Sequence, residues 1–398
     1  MLLQPISSAK TIPMIPDLLI VGGGVIGLSL ADCALRRGLR VTLLDKSLFG
    51  QESSWAGAGM LTCRPRAKVR PEVTDNHDLT LLSIRLHAQW AQRLQSETGI
   101  DVGYRVCGAI ELIMMEEAFA SRPEFKIEAI DITARVSGCM SRGVRARQIS
   151  AKEAHHLEPS LGNGIAQAIE FPDEAQIRNP RFLRALIASV KARGGILREG
   201  EEVLDIDVDW PEKRIRGITL AGGQISSAGA VVICAGAWSG RFPSLVKALP
   251  ICARIEPVRG QLLCYQSSPP LATRLLTNGR HYCVPRDDGV LLVGATHEHV
   301  GFVKNTTLEG LAELQYFAHQ LLPALKSIEP IRTWAGLRPG LKRHHPIFGA
   351  VHEIKGLFVA SGHYRNGLTL APATAELVVQ IILGENPTIS VKSWMPND

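Results

Sequence analysis

The chain has 398 residues, 45% apolar and 21% charged, and its 44 basic against 38 acidic side chains leave a formal charge of +6. The length exceeds one typical core, so two domains or a domain with a cap are expected, while so mild a basic excess without a dense Lys/Arg run argues against a nucleic-acid partner. No apolar run approaches the roughly 18 residues of a membrane span, and the eight scattered cysteines, without a CxxC pair, argue against a metal site or a disulfide framework and for a reducing cytoplasm.

Residues 1–16 lack the basic and apolar regions of a signal peptide and read as a loose lead-in. Asp17–Val21, apolar after Asp17 and running straight into glycines, predicts a short buried strand. Helical spacing then covers Val25–Arg37, with Gly38 as the stop, and Val41–Leu44 is a second buried strand ending at Asp45. Together they make a βαβ unit of about 30 residues. The small, polar stretch Ser53–Met60 reads as a long loop. Leu79, Leu82, Leu86, Trp90 and Leu94 recur at spacings of three and four, which predicts a helix over Leu79–Leu94 with Gly99 beyond its end.

Val102–Leu112 is strand-like. Asn179 and Pro180 form a cap and first-turn pair for a helix reaching Val190, and strands at Val203–Val208 and Gly229–Cys234 return the pattern to α/β. From Pro257 to Thr296 the chain reads as antiparallel, with Asp287-Asp288-Gly289 turning a hairpin. Thr306 and Glu309 make a capping box for the helix bearing Leu311 to Leu321, and the chain closes with strand, glycine-rich loop and helix over Leu357–Leu383. The expected fold is α/β with two domains. Residues 17–98, 151–248 and 335–398 form a discontinuous Rossmann-like nucleotide domain; 99–150 and 249–334 form an antiparallel-sheet substrate domain.

Gly22-x-Gly24-x-x-Gly27 lies between the first strand and its helix. Gly22 allows the tight turn, Gly24 lets backbone approach a pyrophosphate, and Gly27 lets helix and strand pack. Helix amides then face the phosphates, and Asp45, 18 residues beyond Gly27, is placed to accept from ribose hydroxyls. NAD and FAD share this fingerprint. The stretch after Asp45 favours FAD, because Ser53-Ser54-Trp55-Ala56-Gly57-Ala58-Gly59-Met60 can run close along a cofactor where an NAD enzyme would start another βαβ unit.

The segments Ile20–Gly27, Ser53–Leu61, Val232–Gly240, Tyr282–Thr296, Trp334–Gly340 and Gly362–Gly367 resemble the D-amino-acid-oxidase-like flavoproteins, and within them the glycine-oxidase branch of thiamine biosynthesis. The likeness runs from Asp17 to Leu383 and is weakest over Ala120–Met140. It implies that Val25, Ile26, Asp45, Lys46, Ser53, Ser54, Ala58, Gly59, Met60 and Val203 line FAD. The loop of His363, Tyr364, Arg365, Asn366, Gly367, Leu368 and Thr369 would line it too, its helix start facing the flavin. It implies that Arg338 binds the substrate carboxylate, that Tyr282 assists it and that Arg365 is a second active-site arginine. Without a cysteine in Trp334–Gly340, the FAD is expected to be non-covalent.

The implied activity is oxidative deamination of a small amino acid, glycine first, by hydride transfer from Cα to flavin N5, with dioxygen as acceptor. A D-amino-acid or sarcosine dehydrogenase, a tRNA-modifying flavoprotein and a non-catalytic flavin-binding protein are the other readings, and a homo-oligomer is left open. His344 and His345 are adjacent, so on a strand they point to opposite faces. His297 stands where the glycine-oxidase branch has an apolar side chain facing substrate, a departure that bears on which amine is taken.

Overall fold

The computed structural model describes residues 15–64, 76–115, 131–342 and 345–396; most of the lead-in and His344 lie outside them. One of its two large sheets has six strands in the order Ile347–Ala350, Leu357–Ser361, Ala230–Ile233, Leu18–Val21, Val41–Asp45 and Ile196–Glu199. All neighbours run parallel except the first pair. Parallel strands are covered on both faces, which is why Leu18–Val21 is wholly apolar. Alternation then splits its side chains. Leu18 and Ile20 pack with the helices Val25–Arg36, His77–Thr98, Asn179–Ala192 and Gly367–Ile382. Leu19 and Val21 pack on the opposite face, against a three-stranded antiparallel meander.

That meander corrects the sequence reading. Val203–Asp209 belongs to it, paired antiparallel with Arg214–Leu220, and Ile196–Glu199 is the strand that extends the parallel sheet. The half-buried pattern of Val203–Asp209 fits a strand covered on one face only.

The second large sheet has eight strands: Arg332–Gly340, Glu256–Gln266, Val290–Gly294, His281–Pro285, Leu275–Asn278, Ala109–Met114, Ile165–Phe171 and Arg147–Ile149. The hairpin at Asp287–Gly289 forms as read, with Gly289 at φ +81°. Ile165–Phe171 pairs here, although the sequence groups 151–248 with the nucleotide-binding units. The helix Leu308–Leu321 packs beneath this sheet through Leu314, Phe317 and Leu321.

Two helix starts sit one residue from their expected places. Asn179 is the first helical residue, after Arg178, and does not cap; its amide is drawn off to the carbonyl of Ser54, 2.8 Å away. Thr307, not Thr306, caps the Leu308 helix by accepting from Gly310 N–H, so Glu309 is not at the capping-box position. Buried Gln261 selects Thr307: its Oε1 accepts from Thr307 N–H at 2.8 Å, and its Nε2 donates to Thr307 Oγ1 at 3.1 Å. Ser53–Ala56, read as loop, is one turn of helix.

Candidate active site

A cavity of about 830 Å³ is lined by residues from both large sheets, within the range of small-molecule and cofactor sites. Its nucleotide end is made by the first βαβ unit. Gly22 sits at φ +108°, and a Cβ on it would lie 2.5 Å from the Cys234 carbonyl oxygen. Gly27 packs underneath rather than lining the cavity, since a Cβ there would lie 2.0 Å from Gly22 O. At Gly24 the nearest atom to a Cβ would be Ser54 Oγ, 3.1 Å away. That hydroxyl accepts from Val25 N–H at 2.9 Å, so Ser54 holds the helix start. Asp45 accepts from Gly23 N–H at 2.7 Å and Ser47 N–H at 2.8 Å. Burial raises its pKa; those two N–H groups oppose the rise.

The turn after Asp45 is held from outside. Trp334 Nε1 donates to Ala56 O at 3.0 Å, and Arg286 Nη2 donates to Ala58 O at 2.7 Å. Arg286 is 7% exposed and also donates to Ile177 O and Gln176 Oε1. Burial pushes its pKa down to about 10. Gly59, at φ +80°, has no room for a side chain, because a Cβ would lie 2.0 Å from Ile177 O. Thr369 Oγ1 donates to Met60 O at 3.1 Å, which ties this turn to the C-terminal helix.

That helix, Gly367–Ile382, starts in the cavity with no side-chain cap. Its first turn is pinned by His87, fully buried, whose Nε2–H donates to Leu368 O at 3.0 Å and Thr369 O at 3.2 Å. Burial pushes the His87 pKa down to about 4. His363 is buried, points back to Thr374 Oγ1 at 3.1 Å, and is lowered to about 3. Gly362 needs its φ of +75°, whereas a Cβ on Gly367 would meet no protein atom nearer than 3.7 Å. Gly367 therefore leaves room for a ligand rather than for the fold. Tyr364 adopts φ +52°, a costly conformation for a tyrosine.

At the other end, Arg338 and Tyr282 project from strands of the eight-stranded sheet. Arg338 Nη1 donates to Thr296 O at 3.0 Å, and its guanidinium is hydrogen-bonded to the Tyr282 phenol. Burial lowers the Arg338 pKa and raises that of Tyr282, with Arg338 opposing the latter, so the phenol stays protonated at neutral pH. Glycines make both side chains fit. A Cβ on Gly260 would lie 2.0 Å from Arg338 Nη2, and one on Gly294 would lie 2.7 Å from the Tyr282 hydroxyl. His297 sits at the rim. Its Nδ1 accepts from Tyr364 O–H at 2.8 Å and Arg365 Nη2 at 3.1 Å, while its Nε2 faces His299 Nε2 at 3.1 Å.

Every expected cofactor and substrate residue except Gly27 lines this one cavity. Arg286, Trp334, Asn179, His87 and Gly260 were not anticipated. His87 alone had a signal: it shares the buried stripe of its helix with Leu79, Ser83, Trp90 and Leu94, whereas the predicted Leu82 and Leu86 are only half-buried.

The site has the fittings of a flavin nucleotide: a glycine cradle, an acid at the second strand end, and two helix starts opening into one cavity. The sequence pattern of the FAD dependent oxidoreductase family matches residues 17–381. Glycine oxidase of Pseudomonas aeruginosa is 34% identical over 95% of this chain and 97% of its own. The bifunctional protein ThiO/ThiG of Trichormus variabilis is 31% identical over 93% of this chain and 53% of its own. The crystal structure of glycine oxidase from Geobacillus kaustophilus superposes with a TM-score of 0.85 at 30% identity, covering 96% of this chain and 98% of the other.

Proposed function

The chain belongs to the FAD dependent oxidoreductase family, and from that premise we propose that it oxidises glycine to the imine, which water converts to glyoxylate and ammonia, with dioxygen reduced to hydrogen peroxide. The likeness to glycine oxidases and to a ThiO/ThiG protein supports this reading and a role in thiamine thiazole formation. The observation that carries it is the Arg338–Tyr282 pair, a guanidinium and a phenol hydrogen-bonded to each other and lining one cavity.

Bound FAD supplies the two-electron acceptor for the hydride that leaves Cα. Arg338 and Tyr282 grip the substrate carboxylate, the guanidinium through its planar fork and the phenol through its proton, and so fix Cα. The positive charge of Arg338 and Arg365 disfavours an ammonium nearby and holds the amine in its neutral, reactive form. Gly22, Gly24, Val25, Ile26, Asp45, Lys46, Ser53, Ser54, Ala58, Gly59, Met60, Val203 and the loop His363–Thr369 would hold the FAD, non-covalently since Trp334–Gly340 contains no cysteine. The six-stranded sheet would carry the nucleotide and the eight-stranded sheet the substrate. Among the described residues no helix is long and apolar enough to cross a membrane. All eight cysteines are free, which fits a reducing cytoplasm.

In air, glycine should yield glyoxylate and hydrogen peroxide in equal amounts. Glyoxylate only with an added artificial acceptor would favour a dehydrogenase instead.

A further inference from the structure

We propose that the substrate end holds a second anion-binding point, made by Arg280 and Arg365, and that the site takes small amines bearing two carboxylates. The inference rests on the reading of Arg338 as anchor of the first carboxylate. Arg280 lies in the turn between Leu275–Asn278 and His281–Pro285, two residues before Tyr282, and lines the same cavity. Arg280 and Arg365 are both exposed, and among the described residues neither has a carboxylate partner. Among the described residues Arg365 meets His297 Nδ1 and the ring of Tyr364, 5.4 Å away.

Several arginines elsewhere face acids. Arg64 faces Glu174 and Glu111, Arg93 faces Asp32, and Arg259 faces Glu298. Arg286 is satisfied by three neutral oxygens instead, and Arg241 and Arg332 lie over the rings of Phe302 and Trp55. Two of the cavity's acids are committed to cations, Glu111 to Arg64 and Arg135 and Glu52 to Lys304. Positive charge gathers at the substrate end. It converges on His297, whose pKa is lowered to about 4 by burial and by Arg365, His299, Arg338 and Arg280. Neutral His297 accepts from Arg365 and fixes the direction of its fork.

Glycine brings one carboxylate, matched by Arg338, and leaves Arg280 and Arg365 without an anion. A second carboxylate on the amine nitrogen or on Cα would supply it. The chemistry is unchanged: the C–H bond beside nitrogen breaks, two electrons and that hydrogen leave as hydride for the flavin, the amine proton goes to solvent, and water cleaves the resulting C=N bond.

The FAD-loaded enzyme should be compared on iminodiacetate against N-propylglycine and on D-aspartate against D-norvaline, with glycine as reference. Binding of the unreactive pair glutarate and butyrate should be measured by calorimetry. The expected result is a preference of roughly 10- to 100-fold for the diacid in the glutarate–butyrate pair and in at least one amine pair, the size of a charge-assisted contact. Arg280→Gln should shrink that preference toward one. Which amine pair responds tells whether the second carboxylate sits on nitrogen or on Cα. Equal binding of glutarate and butyrate would overturn the inference even if glycine is oxidised. Tight glutarate binding with no reduction by glycine would instead overturn the glycine-oxidase reading and leave this one standing.

Discussion

The guanidinium of Arg338 fills the space that Gly260 leaves on the neighbouring strand. The two strands are antiparallel, with Val258 opposite Arg338 and Gly260 opposite Gly336. A Cβ on Gly260 would lie 2.0 Å from Nη2 and 2.3 Å from Cζ. A methyl group there displaces the fork without touching the nucleotide end. Gly260→Ala is expected to lower kcat/KM for glycine by about 30- to 100-fold, as expected for loss of a contact to a charged group, with FAD affinity nearly unchanged. Steady-state kinetics and flavin titration of one preparation check both halves.

Tyr282→Phe keeps the ring against Gly294 and removes only the hydroxyl. Because burial keeps that phenol protonated, its loss costs one donor to the carboxylate. The expected change is about a 10-fold rise in KM with a smaller effect on kcat. A rise in KM no larger than twofold would remove Tyr282 from the clamp.

Arg286 acts at a distance from substrate. Its donors reach Ala58 O, Ile177 O and Gln176 Oε1, so Arg286→Met leaves three buried oxygens without a partner and frees the turn over the cofactor. We expect FAD affinity to fall by about 10- to 100-fold and the apoprotein to lose a few °C in Tm, roughly 1–3 kcal/mol. Fluorescence titration with FAD reads the first and thermal scans of apoprotein the second.

Much of the nucleotide end was legible because its determinants are local. Gly22, Gly24, Gly27 and Asp45 lie within one βαβ unit whose backbone geometry imposes those residue types. Arg286 was not legible, since an arginine bound by oxygens from two distant segments leaves no pattern around itself. Gly260 was hidden for the same reason: only the register with Gly336 reveals that Arg338 needs the space. The displaced cap at Thr307 has a tertiary cause too, because buried Gln261, 46 residues away, chooses it. Val203–Asp209 misled because a strand pattern does not say which sheet a strand joins.

His87 gives stability a pH dependence of known sign. Its ordinary pKa of 6.5 falls to about 4 in the folded protein, so the unfolded chain takes up the proton first. The stabilising effect is complete above about pH 6.5, is lost as pH falls toward 4, and levels off below that. It amounts to roughly 3 kcal/mol over that window. His363 acts in the same direction. His87→Gln keeps a donor toward Leu368 and Thr369 without titrating. The drop in Tm between pH 7 and 4.5 should therefore shrink in this variant, and an unchanged drop would assign the effect elsewhere.

The most direct measurement is anaerobic mixing of the FAD-loaded protein with glycine while flavin absorbance near 450 nm is followed. Full bleaching by glycine, and its loss at the same glycine concentration in an Arg338→Ala variant that still holds FAD, is the result expected here. A protein that binds no flavin, or equal bleaching of both forms, would contradict an arginine-anchored carboxylate beside the cofactor.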